Sequence, residues 1–240
     1  MGAGRITREQ IESWLSPARY SRYLEAADGD DGAALELYLW NTGLAQAVLR
    51  DVSFFEIALR NSYERCLDEW WSSAGHSAHW LLDPRSPLRE PIMRTNKRKR
   101  SFDANRINRN TIDHLVESLG PGANADDAVA NLTLGFWAHM TDRAHERSLW
   151  IPVLHGAWPD GTSRKDLNAS ISMVNRLRNR AAHHEHLFGE GCQTLEAAQK
   201  CVSLFSFLQP EIAREVYGGE LTFSVARYVE LKEPPCTVGI

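Results

Sequence analysis

The chain has 240 residues, a formal charge of −4, 43% hydrophobic and 24% charged residues, the balance of a globular protein long enough to bury a real core. Fibrous and disordered classes are excluded, and the acidic balance denies the chain a general attraction to polyanions, so any nucleic-acid contact must be local. No run approaches the roughly 18 apolar residues of a membrane span, and the start MGAGRITREQ lacks the apolar stretch of a secretory signal; the expectation is a cytoplasmic protein with no membrane partner.

Gly2 invites a lipidation reading, but Ile6 stands where that signal needs Ser or Thr, and Cys236 is one residue too early for prenylation. The four cysteines, Cys66, Cys192, Cys201 and Cys236, show no CxxC spacing. That argues against a zinc knuckle or a disulfide framework and for reduced, mostly packed thiols.

In chain order, Thr7 with Gln10 has the form of a capping box, and Ser16-Pro17 reads as a second helix start. DGDDG at 28–32 breaks the pattern. From Ala33, the residues Leu37, Leu44, Val48, Phe55, Leu59 and Cys66 recur at helical steps, predicting one amphipathic helix to about Trp71, with a bend at Gly43. Residues 80–102 hold Pro84, Pro87 and Pro91 and read as a long connection or an insertion. A helix over about 104–119 ends at Gly120-Pro121-Gly122, another runs from about Asp126 to Thr141, and a short one holds Ser148 to Leu154. Trp158 to Gly161 makes a turn. A helix from about Lys165 leads into LRNRAAHHEH (177–186); after Gly189 and Gly191, Leu195 to Leu208 is helical, and Pro210 to Tyr217 forms a last turn or two. Strand-like alternation is weak outside 221–231. The predicted fold is all-α, a helical bundle in a single domain over 1–240.

LRNRAAHHEH is the stretch that asks for chemistry. Ile171, Val174, Arg178 and Ala182 share one face of the helix, so Arg178 sits at the edge of the apolar stripe. His183 lies five residues on, about 140° around an ideal helix. Both reach one atom only if the helix ends or distorts there, if the arginine reaches far, or if a second copy of the chain supplies its own pair. Arginine and histidine together suit metal-free RNA cleavage. Imidazole can take a proton from a ribose 2′-hydroxyl or give one to the leaving 5′-oxygen, and guanidinium can hold the phosphate oxygens where charge builds. Asn179 can orient either group.

Other readings fit the same residues. Arg178, Arg180, Glu185 and the histidines can be a solvated helix end, favoured by the C-terminal dipole. Neutral imidazoles at 183, 184 and 186 are good metal ligands, but neighbours on a helix point apart and no HExxH spacing is present. His184 or His186 can also simply be packed.

Arg178-Asn179-Arg180-Ala181-Ala182-His183 fits the R-x4-H motif of the HEPN superfamily, and Arg-Asn followed by Ala-His-His resembles its Abi-like (abortive-infection) proteins. LYLWNTGLAQAVLRDVSFFEIALRN (37–61) resembles their first long helix, and LGFWAHM (134–140) with Leu149-Trp150 resembles their middle segment, so the similarity covers most of residues 15–210. The resemblance implies a HEPN-like helical core, a homodimer that brings two R-x4-H motifs together, and a metal-independent endoribonuclease leaving a 2′,3′-cyclic phosphate, without a cofactor. It also implies phage defence, often as the toxin of a toxin–antitoxin pair with a protein or RNA antitoxin. Carried over by position, the catalytic residues are Arg178 and His183 with Asn179 in support, and His184 is a neighbouring candidate.

Two further groups stand out. Leu59-Arg60-Asn61 echoes Leu177-Arg178-Asn179, and Glu56 precedes Arg60 by one turn; Glu56 and Arg60 form an intrahelical ion pair, or Arg60 and Asn61 lie beside the catalytic helix and brace His183 or contact RNA. Arg94, Lys97, Arg98, Lys99, Arg100, Arg106 and Arg109 stand against the lone carboxylate Asp103, a candidate RNA-backbone grip or a solvated loop. The competing functional class is a non-catalytic helical RNA-binding or protein-interaction module. A metal-dependent enzyme is the third.

Overall fold

The computed structural model describes residues 6–120, 122, 124–218 and 223–240. Gly2, Pro121 of the stop signal and positions 221–222 of the strand-like stretch lie outside the described residues. The fold is all-α, with one two-stranded hairpin.

Two short helices open the described chain, α1 (Arg8–Leu15) and α2 (Pro17–Ala26). The Thr7 capping box forms as expected: the Gln10 backbone N–H donates to the Thr7 hydroxyl, and the Gln10 side chain accepts from the Thr7 N–H. Asp30 caps α3 (Asp31–Ser73) by accepting from the Ala33 N–H at 2.8 Å, so the acidic break is shorter than DGDDG suggests.

α3 is the axis of the molecule, 43 residues and about 65 Å long. Its expected stripe is buried at Leu37, Leu44, Val48, Phe55 and Leu59, and Trp40, Val52, Tyr63, Leu67 and Trp71 widen it because other helices pack on several sides. Gly43 does not interrupt the helix. Its missing side chain admits the Tyr228 ring, two of whose carbons would lie 2.7 and 2.8 Å from a Cβ there, and the Tyr228 hydroxyl donates to the Trp40 carbonyl. Tyr228 belongs to α10 (Ser224–Leu231), which replaces the strand-like reading of 221–231. Beside it, buried Asp51 accepts from the Ser224 N–H at 2.8 Å, the Ser224 hydroxyl at 2.6 Å and the Tyr217 hydroxyl at 3.2 Å.

The connection after α3 is not loose. Trp80, Leu81 and Leu88 are fully buried, and a short antiparallel hairpin follows, β1 (Met93–Thr95) on β2 (Ser101–Asp103), with Arg94 opposite Phe102. Three-residue strands carry too little alternation to register as strands, and the turn places Lys99 at φ +56° where glycine would have announced it. α4 (Arg106–Leu119) follows. The single helix expected over 126–141 is two, α5 (Ala125–Ala130) and α6 (Leu134–His139). Asn131 and Thr133 take the flanking cap positions, and the Glu56 carboxylate accepts from the Leu134 N–H at 2.7 Å. A π-helical turn (Glu146–Trp150) and a 3-10 turn (Leu154–Ala157) fill the place of the short helix at 148–154.

α7 (Arg164–Ala182), α8 (Thr194–Leu208) and α9 (Pro210–Tyr217) complete the bundle. α7 and α8 pack on α3 and on each other. α7 runs antiparallel to α3: Arg164 at its start reaches the Thr141 carbonyl near Tyr63, while the segment after its end meets Asn41. All four cysteines are free thiols whose pKa burial pushes up, which makes them poor nucleophiles. Among the described residues no helix is long and apolar enough to cross a membrane.

Candidate functional site

The site is the C-terminal end of α7. Leu167, Ile171, Val174, Leu177 and Ala181 bury one face of that helix, and Arg178 is half-buried at the border of the stripe. Its Nη1 donates to the Asn179 side-chain oxygen at 3.3 Å, which brings these two predicted residues together.

The helix stops at the motif. His183 is its C-cap, and His184 adopts φ +56°. The Glu185 N–H donates to the Arg180 carbonyl at 2.9 Å and the His184 N–H to the Ala181 carbonyl at 3.2 Å, the pairing of a Schellman turn with histidine at the left-handed position usually held by glycine. Left-handed backbone costs a non-glycine residue about 1 kcal/mol, less for polar residues such as His. The termination rotates His184 out of the helical sequence of side chains and leaves His183 exposed.

By helical spacing Arg178 and Arg180 project about 160° apart, with His183 about 60° from Arg180. Arg180 is committed to the turn: its Nη2 donates to the His186 carbonyl at 2.6 Å, and its Nε lies 3.7 Å from the Glu185 carboxylate. Among the described residues the Arg178 side chain hydrogen-bonds to Asn179 alone. No hydrogen bond joins Arg178 to His183 among the described residues.

Asn41 of α3 anchors the segment beyond the turn. Only 3% exposed, it donates from Nδ2 to the Glu185 carbonyl at 3.2 Å and to the Tyr23 hydroxyl at 3.1 Å, and accepts the Leu187 N–H at 2.8 Å. The Thr194 hydroxyl donates to the Leu187 carbonyl at 2.7 Å, and the Phe188 ring packs edge-on against Tyr23. The polar residues of the motif therefore stand on a fixed base.

Sequence reasoning missed Arg19, Arg22 and Tyr23 of α2. With His184, Glu185 and His186 they line a cavity of about 130 Å³ beside the turn. Burial, followed by the charges of Arg180 and Arg22, lowers the pKa of His186 and favours its neutral form. The available signal was the i, i+3 pair Arg19 and Arg22, interleaved with Tyr20 and Tyr23, which are buried. His184 is thus the histidine that faces a cavity, and His183 the one at the open helix end.

The other predicted residues lie elsewhere. The Arg60 Nε donates to the Asn61 oxygen at 3.2 Å, repeating the Arg178–Asn179 pairing, and its Nη1 points to the Ala130 carbonyl at 3.5 Å. Glu56 forms no ion pair with Arg60; its carboxylate caps α6 instead. Arg60 is nineteen residues along α3 from Asn41, about 28 Å, so within one chain it does not brace His183.

The basic stretch forms the hairpin tip. Lys97, Arg98, Lys99 and Arg100 are exposed, and among the described residues none is in an ion pair. Arg106 is exposed as well, and Arg94 Nη2 lies 3.5 Å from the Ala144 carbonyl. Arg109 is not available in the same way: its Nη1 meets the Asp103 carboxylate at 2.6 Å. The other Asp103 oxygen accepts from the Ile92 and Asn105 N–H groups, each at 2.9 Å. Burial pushes the Asp103 carboxyl up, but these bonds and Arg109 outweigh it and hold the group below the usual range. Asp103 and Arg109 thus lock the hairpin base. The hairpin docks near Ala144, at the N-terminal end of α7, so tip and motif are separated by the helix, about 28 Å for its 19 residues.

Among the described residues no group of three or more His, Cys, Asp or Glu side chains is placed to hold a metal ion. No family model, curated protein or solved structure matches this chain.

Proposed function

We propose that the chain is a metal-independent endoribonuclease of the Abi-like HEPN type, acting as a homodimer in phage defence with His183 and Arg178 at the cleft. The observation that carries this reading is the end of α7: an exposed imidazole at the helix cap and a half-buried guanidinium held by Asn179, both on a backbone pinned by Asn41. Catalytic groups need such a rigid footing, because small misplacements cost large factors in rate.

The ideal-helix angle of about 140° between Arg178 and His183 favours a composite cleft, in which a second copy's helix end supplies partner groups, over a single α7 aiming both at one phosphate. In that cleft one imidazole removes the 2′-hydroxyl proton as the 2′-oxygen bonds to phosphorus. The P–O5′ bond breaks, and the leaving 5′-oxygen takes a proton from the second copy's imidazole. The guanidinium groups hold the non-bridging oxygens while their charge grows. The products are a 2′,3′-cyclic phosphate and a 5′-hydroxyl. As a toxin, such an enzyme would be restrained by a protein or RNA antitoxin covering the same helix ends.

Incubating the pure protein with labelled RNA and EDTA tests the assignment. Cleavage that persists with the chelator and disappears in His183→Ala, with the fold intact by circular dichroism, supports it. Full cleavage by His183→Ala refutes it, and loss of activity to EDTA alone favours a metal-dependent enzyme. The exposed basic hairpin favours a second reading, an RNA-binding module without catalysis, for which the same tube shows binding and no cutting.

A further inference from the structure

We propose that Arg19, Arg22, His184 and His186 form a phosphate subsite that holds an RNA backbone phosphodiester next to the scissile one. The inference rests on the RNA-nuclease reading for its ligand, although the cavity itself stands on independent geometry.

The cavity is small and built. It is a depression of about 130 Å³, open to solvent on one side and of a size to take a phosphate group. Its wall includes Tyr23, which is 1% exposed and whose hydroxyl is fixed by Asn41. Two arginines and two imidazoles face one carboxylate, and that carboxylate, Glu185, lies 3.7 Å from Arg180 Nε. Arg22 has only a loose exposed contact with Glu25 at 3.6 Å, and Arg19 has no ion pair among the described residues. Arginine forks match the tetrahedral oxygens of phosphate, and an imidazole N–H can donate a further hydrogen bond.

His184 supplies a second, independent observation. A Schellman turn is made most cheaply by glycine, yet this one sets an imidazole at φ +56° and presents it to the cavity. Strain tolerated at one residue is explained when its side chain is needed there. The lowered pKa of His186 follows the same logic, since burial and the nearby arginines disfavour a further positive charge and an anion in the cavity would offset both. His183 and His184 are consecutive, with Cα atoms about 3.8 Å apart, so a strand with one phosphate at His183 has the next within reach.

The test uses a 2′-O-methyl RNA oligonucleotide without terminal phosphates, which binds but cannot be cut. Binding is read by fluorescence anisotropy at several salt concentrations. Arg19→Gln/Arg22→Gln is expected to weaken binding about tenfold and to flatten the logarithmic salt dependence by about 0.7 for the one phosphate released. On cleavable RNA the same variant should raise KM and leave kcat at saturation close to wild type. His184→Gly should keep the fold and lose affinity as well. Wild-type affinity at every salt concentration in the double variant overturns the proposal. So does a cavity whose histidine resonances respond to inorganic phosphate while RNA affinity is unchanged in that variant. Affinity lost in the variant, with no cutting by the wild type, keeps the subsite and removes only the nuclease reading.

Discussion

The Asn41 side-chain oxygen accepts the Leu187 N–H at 2.8 Å across 146 residues of sequence, tying the N-terminal third of the longest described helix to the backbone just past the motif. The same amide donates to the Glu185 carbonyl and the Tyr23 hydroxyl, so it joins α2, α3 and the turn after α7. Asn41→Ala leaves the buried Leu187 N–H without its partner, at about 1–3 kcal/mol, and also frees the part-buried Glu185 carbonyl and the Tyr23 hydroxyl. The expected outcome is a loss of about 2–3 kcal/mol and a melting temperature lower by roughly 4–12 °C for a chain of this size. RNA cleavage should fall further than the unfolded fraction explains, because the turn carrying His183 loses its anchor. A variant with wild-type melting and activity would remove Asn41 from this role.

His184 separates stability from function. Its left-handed backbone makes His184→Gly a substitution that relieves strain, with a net gain of up to about 0.5 kcal/mol once the more flexible unfolded chain is allowed for. Urea unfolding should shift to a higher midpoint with an unchanged slope. A lower midpoint would mean that the ring's contacts outweigh the backbone relief.

Much of this arrangement could be read from residue spacing, and the remainder shows why some of it could not. The α3 stripe from Leu37 to Leu59 and the edge position of Arg178 follow directly from helical periodicity. Asn41 is invisible to that logic, since its partners are backbone groups 144 and 146 residues away. Arg19 and Arg22 sit on the exposed side of a short amphipathic helix, where basic residues ordinarily mean solvent. The hairpin hides because its strands are three residues long and Lys99 takes the position that glycine would have marked. The fission of α5 from α6 was signalled by Asn131 and Thr133, both good cap residues, but a cap signal competes poorly with a continuous apolar pattern until the partner, Glu56, is known.

The hairpin tip offers a test that does not touch the fold. Lys97, Arg98, Lys99 and Arg100 are exposed, whereas Arg109 and Asp103 hold the base. Lys97→Ser/Arg98→Ser/Lys99→Gly/Arg100→Ser should melt within about 2 °C of wild type, since surface changes are usually within about 0.5 kcal/mol and glycine suits the position of Lys99. If the tip grips an RNA backbone at three phosphates, the logarithmic salt dependence of binding flattens by about 2. Arg109→Ala should behave oppositely, costing about 1–2 kcal/mol through the uncompensated Asp103 while leaving the tip's charges in place. An unchanged salt dependence in the tip variant assigns the hairpin another role.

His186 gives the end of α7 a pH signature. Partial burial of its ring beside Phe188, then the charges of Arg180 and Arg22, lower its pKa from 6.5, with Glu185 as the opposing charge. Unfolded chains take up the proton as pH falls through about 6.5, while the folded protein resists until lower pH. In that interval the unfolded state binds more protons, so stability rises with pH. The contribution is complete above about pH 6.5 and is lost progressively as the pH drops below it. His186→Gln removes the titrating group, so the stability difference between wild type and variant, read by urea unfolding from pH 7.5 to 5.5, should move against the wild type as the solution is acidified. A difference that stays constant over that range would mean that neither burial nor the arginines shift the ring's titration. Inorganic phosphate at saturating concentration should reduce the pH dependence, because an anion beside Arg22 offsets the positive charge that the ring would otherwise oppose.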